Sequence, residues 1–261
     1  MMVSITTLTK PKVDWFAKLA EIRSEFAIPS FLGVLASNAE TWAQEISVGP
    51  FWKTANKRLP QWRTEYRALV GSDLLPHLDL PEFVHKAESS IRDKLIRLCK
   101  LHESDLSKVI GAGGPPIPKL NDIVRTRVAC RYIDGVEFLA KKFLEVGKET
   151  NCNIELSREG RIEGYFAQHI TFEQRVILRM AGYEQMATLN CEIQIASELA
   201  TRIWDASHPL YEDARTRQYA PEEWQWKPND RRFIANQLGH MIHLADGLLV
   251  QLRDSDGPRD K

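Results

Sequence analysis

The chain has 261 residues, in which 35 Lys and Arg balance 35 Asp and Glu, with 43% hydrophobic and 27% charged residues. This composition fits a globular protein and argues against disorder, collagen or a coiled coil as the whole fold. Zero net charge gives no bulk attraction to DNA, RNA or an anionic membrane, although it leaves room for a local basic patch. No run approaches the roughly eighteen apolar residues of a membrane span, and the opening segment has no apolar run of signal-peptide length. Cys99, Cys130, Cys152 and Cys191 form no C-x-x-C pair. They read as free thiols, three of them in apolar runs, and the expected compartment is a reduced cytoplasm.

Residues 13–110 have a helical pattern. Gln61–Val70 shows helical spacing, and Pro81-Glu82 is expected to open a helix over Phe83–Leu101, with Pro in the first turn. Gly111–Pro118 is a Gly/Pro loop, read as a connector because it lacks the Lys-Ser/Thr ending of a phosphate-binding loop. Ile123–Ile133 alternates like a strand. Asp134–Lys148 then carries Val136, Leu139, Ala140, Phe143 and Leu144 at helical spacing. Cys152–Leu156, His169–Phe172, Val176–Met180 and Thr188–Ile195 are short strand candidates. Residues 197–252 return to helix, with Phe233, Ile234, Leu238, Met241, Ile242, Ala245, Leu248, Leu249 and Leu252 as one apolar, core-packing stripe. Asp254–Lys261 is a charged, frayed tail. The class is α+β, a mixed sheet flanked by helices. Its expected divisions are an N-terminal helical region (1–82), a core (83–215) and a C-terminal helix with its tail (216–261).

Four segments place polar groups where the pattern wants apolar ones. Lys86, Ser90 and Lys94 are spaced by four and would share a helix face suited to a polyphosphate, or simply to solvent. Around Asp122, the next strand puts Arg125, Arg127 and Arg131 opposite Val124, Val128 and Cys130. Such arginines need phosphate, a carboxylate or a base plane, unless the strand is an edge with a solvent face. Tyr165, Ala167 and His169 share a face after Gly164, where a base could stack. Glu192 and Gln194 alternate with Cys191, Ile193 and Ile195, which puts a carboxylate inside a central strand. With Asp122, Glu192 makes a pair able to hold Mg²⁺.

In this order and spacing, the segments resemble the synthetase domain of the RelA/SpoT family over about Phe83 to Glu212. Lys86, Ser90 and Lys94 fill three of the four marked positions of R-x-K-x-x-x-S-x-x-x-K without a gap. Asp122–Arg127 resembles D-I-A-G-I-R, Gly164–His169 resembles G-Y-R-S-L-H, and Glu192–Ser197 resembles E-I-Q-I-R-T. The segment Trp204–Tyr211 resembles a shortened W-x-x-x-E-H-x-x-x-Y.

The resemblance implies a nucleotidyltransferase-like mixed sheet flanked by helices, with helical extensions at both ends. It implies transfer of the β,γ-pyrophosphate of ATP to the 3′-hydroxyl of a purine nucleotide, as in (p)ppGpp synthesis. Asp122 and Glu192 would be the catalytic and Mg²⁺-holding carboxylates. Lys86, Ser90, Lys94, Arg125 and Arg127 would hold donor ATP, and Tyr165, His169 and Gln194 the acceptor. Val84, Phe166 and Ala196 stand where the family has Arg. No His is followed by Asp, so the family's hydrolase domain is not evident. His240 and His243, three apart, read as ordinary surface or core histidines without a third ligand. Two alternatives stay open. One is a toxic relative acting on the 3′ end of tRNA, with Lys53, Lys57, Arg58, Arg63 and Arg67 as its basic surface and an antitoxin as partner. The other is a catalytically silent nucleotide-binding module. Neither a membrane nor DNA is an expected partner.

Overall fold

A computed structural model describes residues 13–160, 164–206 and 223–255. The chain forms two compact units. The first comprises the segment ending at Asn38 with Lys86–Leu120 and Ile177–Ala187, and the second comprises Ala39–His85, Asn121–Val176 and the described chain from Thr188 on. Helices α1 (Trp15–Ile22), α2 (Phe31–Ser47), α3 (Pro50–Val70), α4 (Glu88–Leu101), α5 (Ile133–Glu149) and α7 (Arg231–Ser255) accompany five strands. A further helix, α6, covers 198–206. The strands are β1 (Val84–His85), β2 (Val124–Cys130), β3 (Ile154–Gly160), β4 (Phe166–Met180) and β5 (Tyr183–Ser197), in one sheet of order β1-β2-β5-β4-β3. The expected α+β class, a mixed sheet with flanking helices, is what forms.

The first unit is local in its logic. Asp14 caps α1 by accepting from the Phe16 and Ala17 amides, which satisfies donors the helix itself cannot. In α4, Ile91, Leu95 and Cys99 are buried at a spacing of four, one stripe of the helix. Asn38 uses its amide like a strand edge: Nδ2 donates to the Arg179 carbonyl at 2.9 Å, and Oδ1 accepts from the Arg179 amide at 2.8 Å.

In the second unit the pleat decides the site. Along β2, Val124, Thr126, Val128 and Cys130 are buried while Arg125, Arg127 and Ala129 are half-buried, a period of two. β2 runs parallel to β5, with Arg125 opposite Glu192 and Arg127 opposite Gln194. From Cys191 to Ser197 every β5 residue is buried, as expected for a central strand covered on both faces. The α5 stripe Val136, Leu139, Ala140, Phe143 and Val146 is buried. There Phe143 stacks on Trp52 of α3 at 5.6 Å, and Phe51 stacks on Phe172 of β4 at 4.7 Å. α3 ends at Gly71, whose φ of 70° is a left-handed cap that glycine takes without strain.

The structure corrects four expectations. The helix expected from Phe83 starts at Glu88; Val84 and His85 instead pair with Arg125 and Val124 as β1. Sheet pairing overrides the proline signal, so Lys86 precedes the helix and does not share a face with Ser90 and Lys94. The strand expected to Ile133 stops at Cys130, and Arg131 is exposed beyond it. The separate candidates His169–Phe172 and Val176–Met180 are one strand, because alternation continues through Glu173, Gln174 and Arg175. Finally, the apolar stripe of α7 is not a core face: Ile234, Met241, Leu248, Leu249 and Leu252 are exposed, while Ala235, Asn236 and Asp246 are buried. α7 packs through small residues at Gly239, which lies against the Gly164 backbone. Ser207–Tyr211 and the tail from residue 256 lie outside the described residues.

Cys99, Cys130 and Cys191 are buried free thiols, and Cys152 is partly exposed. Among the described residues no helix is long and apolar enough to cross a membrane.

Candidate active site

Glu192 sits at the centre of the sheet and is 9% exposed. Its Oε1 accepts from Gln194 Nε2 at 2.6 Å, two residues along the same strand face. Its Oε2 faces His169 Nδ1 across 3.4 Å. His169, itself buried on β4, has its Nε2 2.8 Å from the Tyr165 hydroxyl. The Tyr165 ring packs on Trp204 of α6 at 4.6 Å and 54°. Burial pushes the Glu192 carboxyl up, yet the His169 and Gln194 contacts outweigh it and hold the group below the usual carboxylate range.

Asp122 lies in the turn before β2 and is 7% exposed. Its charge acts on Glu192 in the opposite sense, raising it. The start of β2 is tied to β5 by Asn190 Nδ2 donating to Asn121 Oδ1 at 3.0 Å. Among the described residues no group of three or more His, Cys, Asp or Glu is placed to hold a metal. Two carboxylates nevertheless fit Mg²⁺, which keeps its waters and binds through one or two carboxylates plus substrate phosphates.

Beside these groups lies a cavity of about 270 Å³, whose walls include Arg127, Tyr165, Gln194, Trp204, Phe166 and His243. Arg127 does not stand open in it: Nη1 donates to Asp205 at 2.5 Å. On the far wall Phe166 stacks on His243 at 3.7 Å and 5°, with His240 edge-on at 5.4 Å. The two histidines therefore pack against an aromatic ring. Ser197 donates to the buried Asp246. Burial pushes His243 down and Asp246 up, and their mutual attraction only partly opposes this. At the cavity rim, Gln168 Nε2 donates to Glu137 at 2.6 Å and Arg158 contacts the same carboxylate at 3.0 Å.

The second unit thus brings together Asp122, Glu192, Gln194, His169, Tyr165, Arg125 and Arg127. Lys86, Ser90 and Lys94 belong to the first unit; Ser90 is exposed and both lysines are half-buried. Spacing alone does not expose the roles of Asp205 and Trp204, because their partners Arg127 and Tyr165 are far away in sequence. Two of the five residues of the basic surface expected on α3 meet a carboxylate, and a third meets backbone carbonyls. Arg58 pairs with Glu149, Arg67 with Asp73, and Arg63 donates to the His77 and Leu78 carbonyls.

No family model matches the sequence, and no curated protein matches it either. Solved structures do match. Small alarmone synthetase 2 from Bacillus subtilis superposes with a TM-score of 0.51 at 15% identity, over 85% of this chain and 97% of that one. The fold is that of a small alarmone synthetase. Small alarmone synthetase 1 from the same organism, solved with its product pppGpp, matches with a TM-score of 0.48 at 14% identity, over 83% of this chain and 98% of that one. Of the residues expected to stand at arginine positions of the resembling motifs, Phe166 is stacked on His243 and Ala196 is buried.

Proposed function

We propose that the chain is an ATP-dependent nucleotide 3′-pyrophosphokinase that moves the β,γ-pyrophosphate of ATP to the 3′-hydroxyl of a purine nucleotide, making a (p)ppGpp-type alarmone when the acceptor is GDP or GTP. The observation that carries this reading is the buried pair Asp122 and Glu192 at the start of β2 and in the middle of β5. Buried carboxylates are rare without a task, and these two lie close enough for the charge of one to act on the other, in a fold shared with a small alarmone synthetase.

In the proposed reaction the acceptor 3′-oxygen attacks the β-phosphorus of ATP. The bridging bond to the α-phosphate breaks and AMP leaves. The hydroxyl proton passes to Glu192, whose carboxyl is held ionised and ready to accept it. Mg²⁺ held by Asp122 and Glu192 would neutralise charge on the donor phosphates. Tyr165, His169 and Gln194 serve the acceptor side, and Arg125 and Arg127 serve ATP. For Lys86, Ser90 and Lys94 the donor-phosphate role rests on the sequence motif.

The test is purified protein with γ-labelled ATP and a panel of GDP, GTP, AMP, ATP and bulk tRNA. Label on a purine nucleotide supports the proposal. Label on tRNA alone redirects it to the tRNA 3′ end. ATP binding with no transfer to any acceptor supports a silent nucleotide-binding module. Phe166, Ala196 and the exposed Val84 at three arginine positions favour that second reading.

A further inference from the structure

We propose that the Tyr165 hydroxyl is a positioning group for Glu192, acting through His169, and that the ring is not its whole contribution. The catalytic consequence rests on the pyrophosphokinase reading; the hydrogen-bond chain itself does not.

Polarity sets the direction of this chain. An ionised carboxylate only accepts. His169 Nδ1 faces Glu192 Oε2 across 3.4 Å, so that contact is favourable only when Nδ1 carries the proton. In the neutral ring Nε2 then holds a lone pair, and the Tyr165 hydroxyl, 2.8 Å away, donates to it. With the other tautomer, the Nδ1 lone pair would face a carboxylate oxygen inside a buried site, a repulsive arrangement in low dielectric. Glu192 therefore selects the Nδ1–H tautomer, and Tyr165, donating to Nε2, holds the ring in the position that keeps Nδ1 aimed at the carboxylate.

The same chain leaves Glu192 usable. Gln194 occupies one lone pair on Oε1 and His169 one on Oε2. Each oxygen keeps a second direction, one for the acceptor hydroxyl proton and one for a cation. Neighbours fix Tyr165 in turn. Trp204 packs on its ring. Gly164 before it adopts φ 75°, and a Cβ there would meet the Asn236 carbonyl of α7 at 2.6 Å. Only glycine allows that close approach. A Phe at 165 would keep the ring and lose the donor that holds His169 Nε2 in place.

The experiment compares wild type with Tyr165→Phe, His169→Gln and the double variant, using ¹⁵N NMR of histidine-labelled protein and steady-state kinetics. Wild-type His169 should show the Nδ1–H tautomer, and Tyr165→Phe should shift its Nε2 resonance as the hydrogen bond from the tyrosine is lost. In Tyr165→Phe, kcat should fall about tenfold while both KM values stay within about twofold, as when a partner that orients a reactive group is removed. The double variant should be no worse than His169→Gln alone, because both changes break one chain. A wild-type Nε2–H tautomer, or unchanged His169 shifts in Tyr165→Phe, would overturn the proposal. So would a Tyr165→Phe loss that adds fully to that of His169→Gln. If wild type transfers to no acceptor, the pyrophosphokinase reading fails, and the NMR comparison decides the hydrogen-bond chain by itself. The wild-type tautomer needs no variant to fold, since it is read after direct resonance assignment.

Discussion

Arg127 and Asp205 form an ion pair at 2.5 Å in which the arginine side chain is 27% exposed and the aspartate 64%. The guanidinium proposed as a platform for ATP is therefore held by a carboxylate from α6. Exposed pairs of this kind contribute about 0–1 kcal/mol. Binding that recruits Arg127 must first break the pair. Asp205→Asn should tighten ATP binding, by up to about fivefold if the whole of that energy is released. Isothermal calorimetry without acceptor reads this directly; weaker binding would mean that Asp205 itself serves the ligand.

Asp122→Asn and Glu192→Gln should each lower transfer by about 10² or more while leaving the circular dichroism spectrum unchanged, as expected when a proton-accepting or charge-balancing group is removed. More than about a tenth of wild-type rate in both variants would remove them from the active site.

The depressed Glu192 carboxyl fixes a sign for pH. A group with a folded pKa below its unfolded value adds stability above the unfolded value, near 4.3 for Glu, and loses it as pH falls through the folded value. Burial alone would raise the group, but His169 and Gln194 reverse this. Gln194→Ala should move the acidic limb of the rate profile upward. An unmoved limb would show that another group controls it.

Lys86→Ala and Lys94→Ala test the phosphate motif. Removing either ammonium group from a phosphate should weaken ATP binding by about 1.5–3 kcal/mol. Unchanged affinity in both variants would reduce the motif to solvated side chains. Because Lys86 precedes α4, the two variants need not match in size.

Gly239→Ala separates helix propensity from packing. Inside a helix, Ala normally gains about 1 kcal/mol over Gly. Here a Cβ would run into the Gly164 carbonyl, an overpacking that costs about 1–3 kcal/mol. Denaturant unfolding should show net destabilisation. A stabilised variant would mean that α7 shifts freely away from Gly164.

The legible part of the sequence is buried chemistry on strands. Glu192, Gln194 and the arginines of β2 stand out because alternation places each against an apolar neighbour, and the structure puts them on one sheet face. Lys86 is misread because Pro81 looks like a helix start, whereas the actual boundary depends on pairing with Arg125, some forty residues away. The α7 stripe is misread for a related reason. Periodicity locates an apolar face, but a glycine contact at Gly239 decides which face meets the sheet. Asp205 carries no local signal, since its meaning lies in reaching Arg127 from another element.

The parallel pairing of β2 with β5 also governs how the site comes into being. His169 and Glu192 belong to neighbouring strands joined by the short turn at Ala181-Gly182, a contact that closes a small loop and forms quickly. Asp122 nears Glu192 only when β2 pairs with β5, two neighbouring strands separated in sequence by α5, β3 and β4, so the larger loop-closure entropy is met last. In refolding, the fast phase should restore the His169–Glu192 contact, and the slow phase should restore the two-carboxylate centre. The proposed transfer to a nucleotide should then return with the slow phase alone.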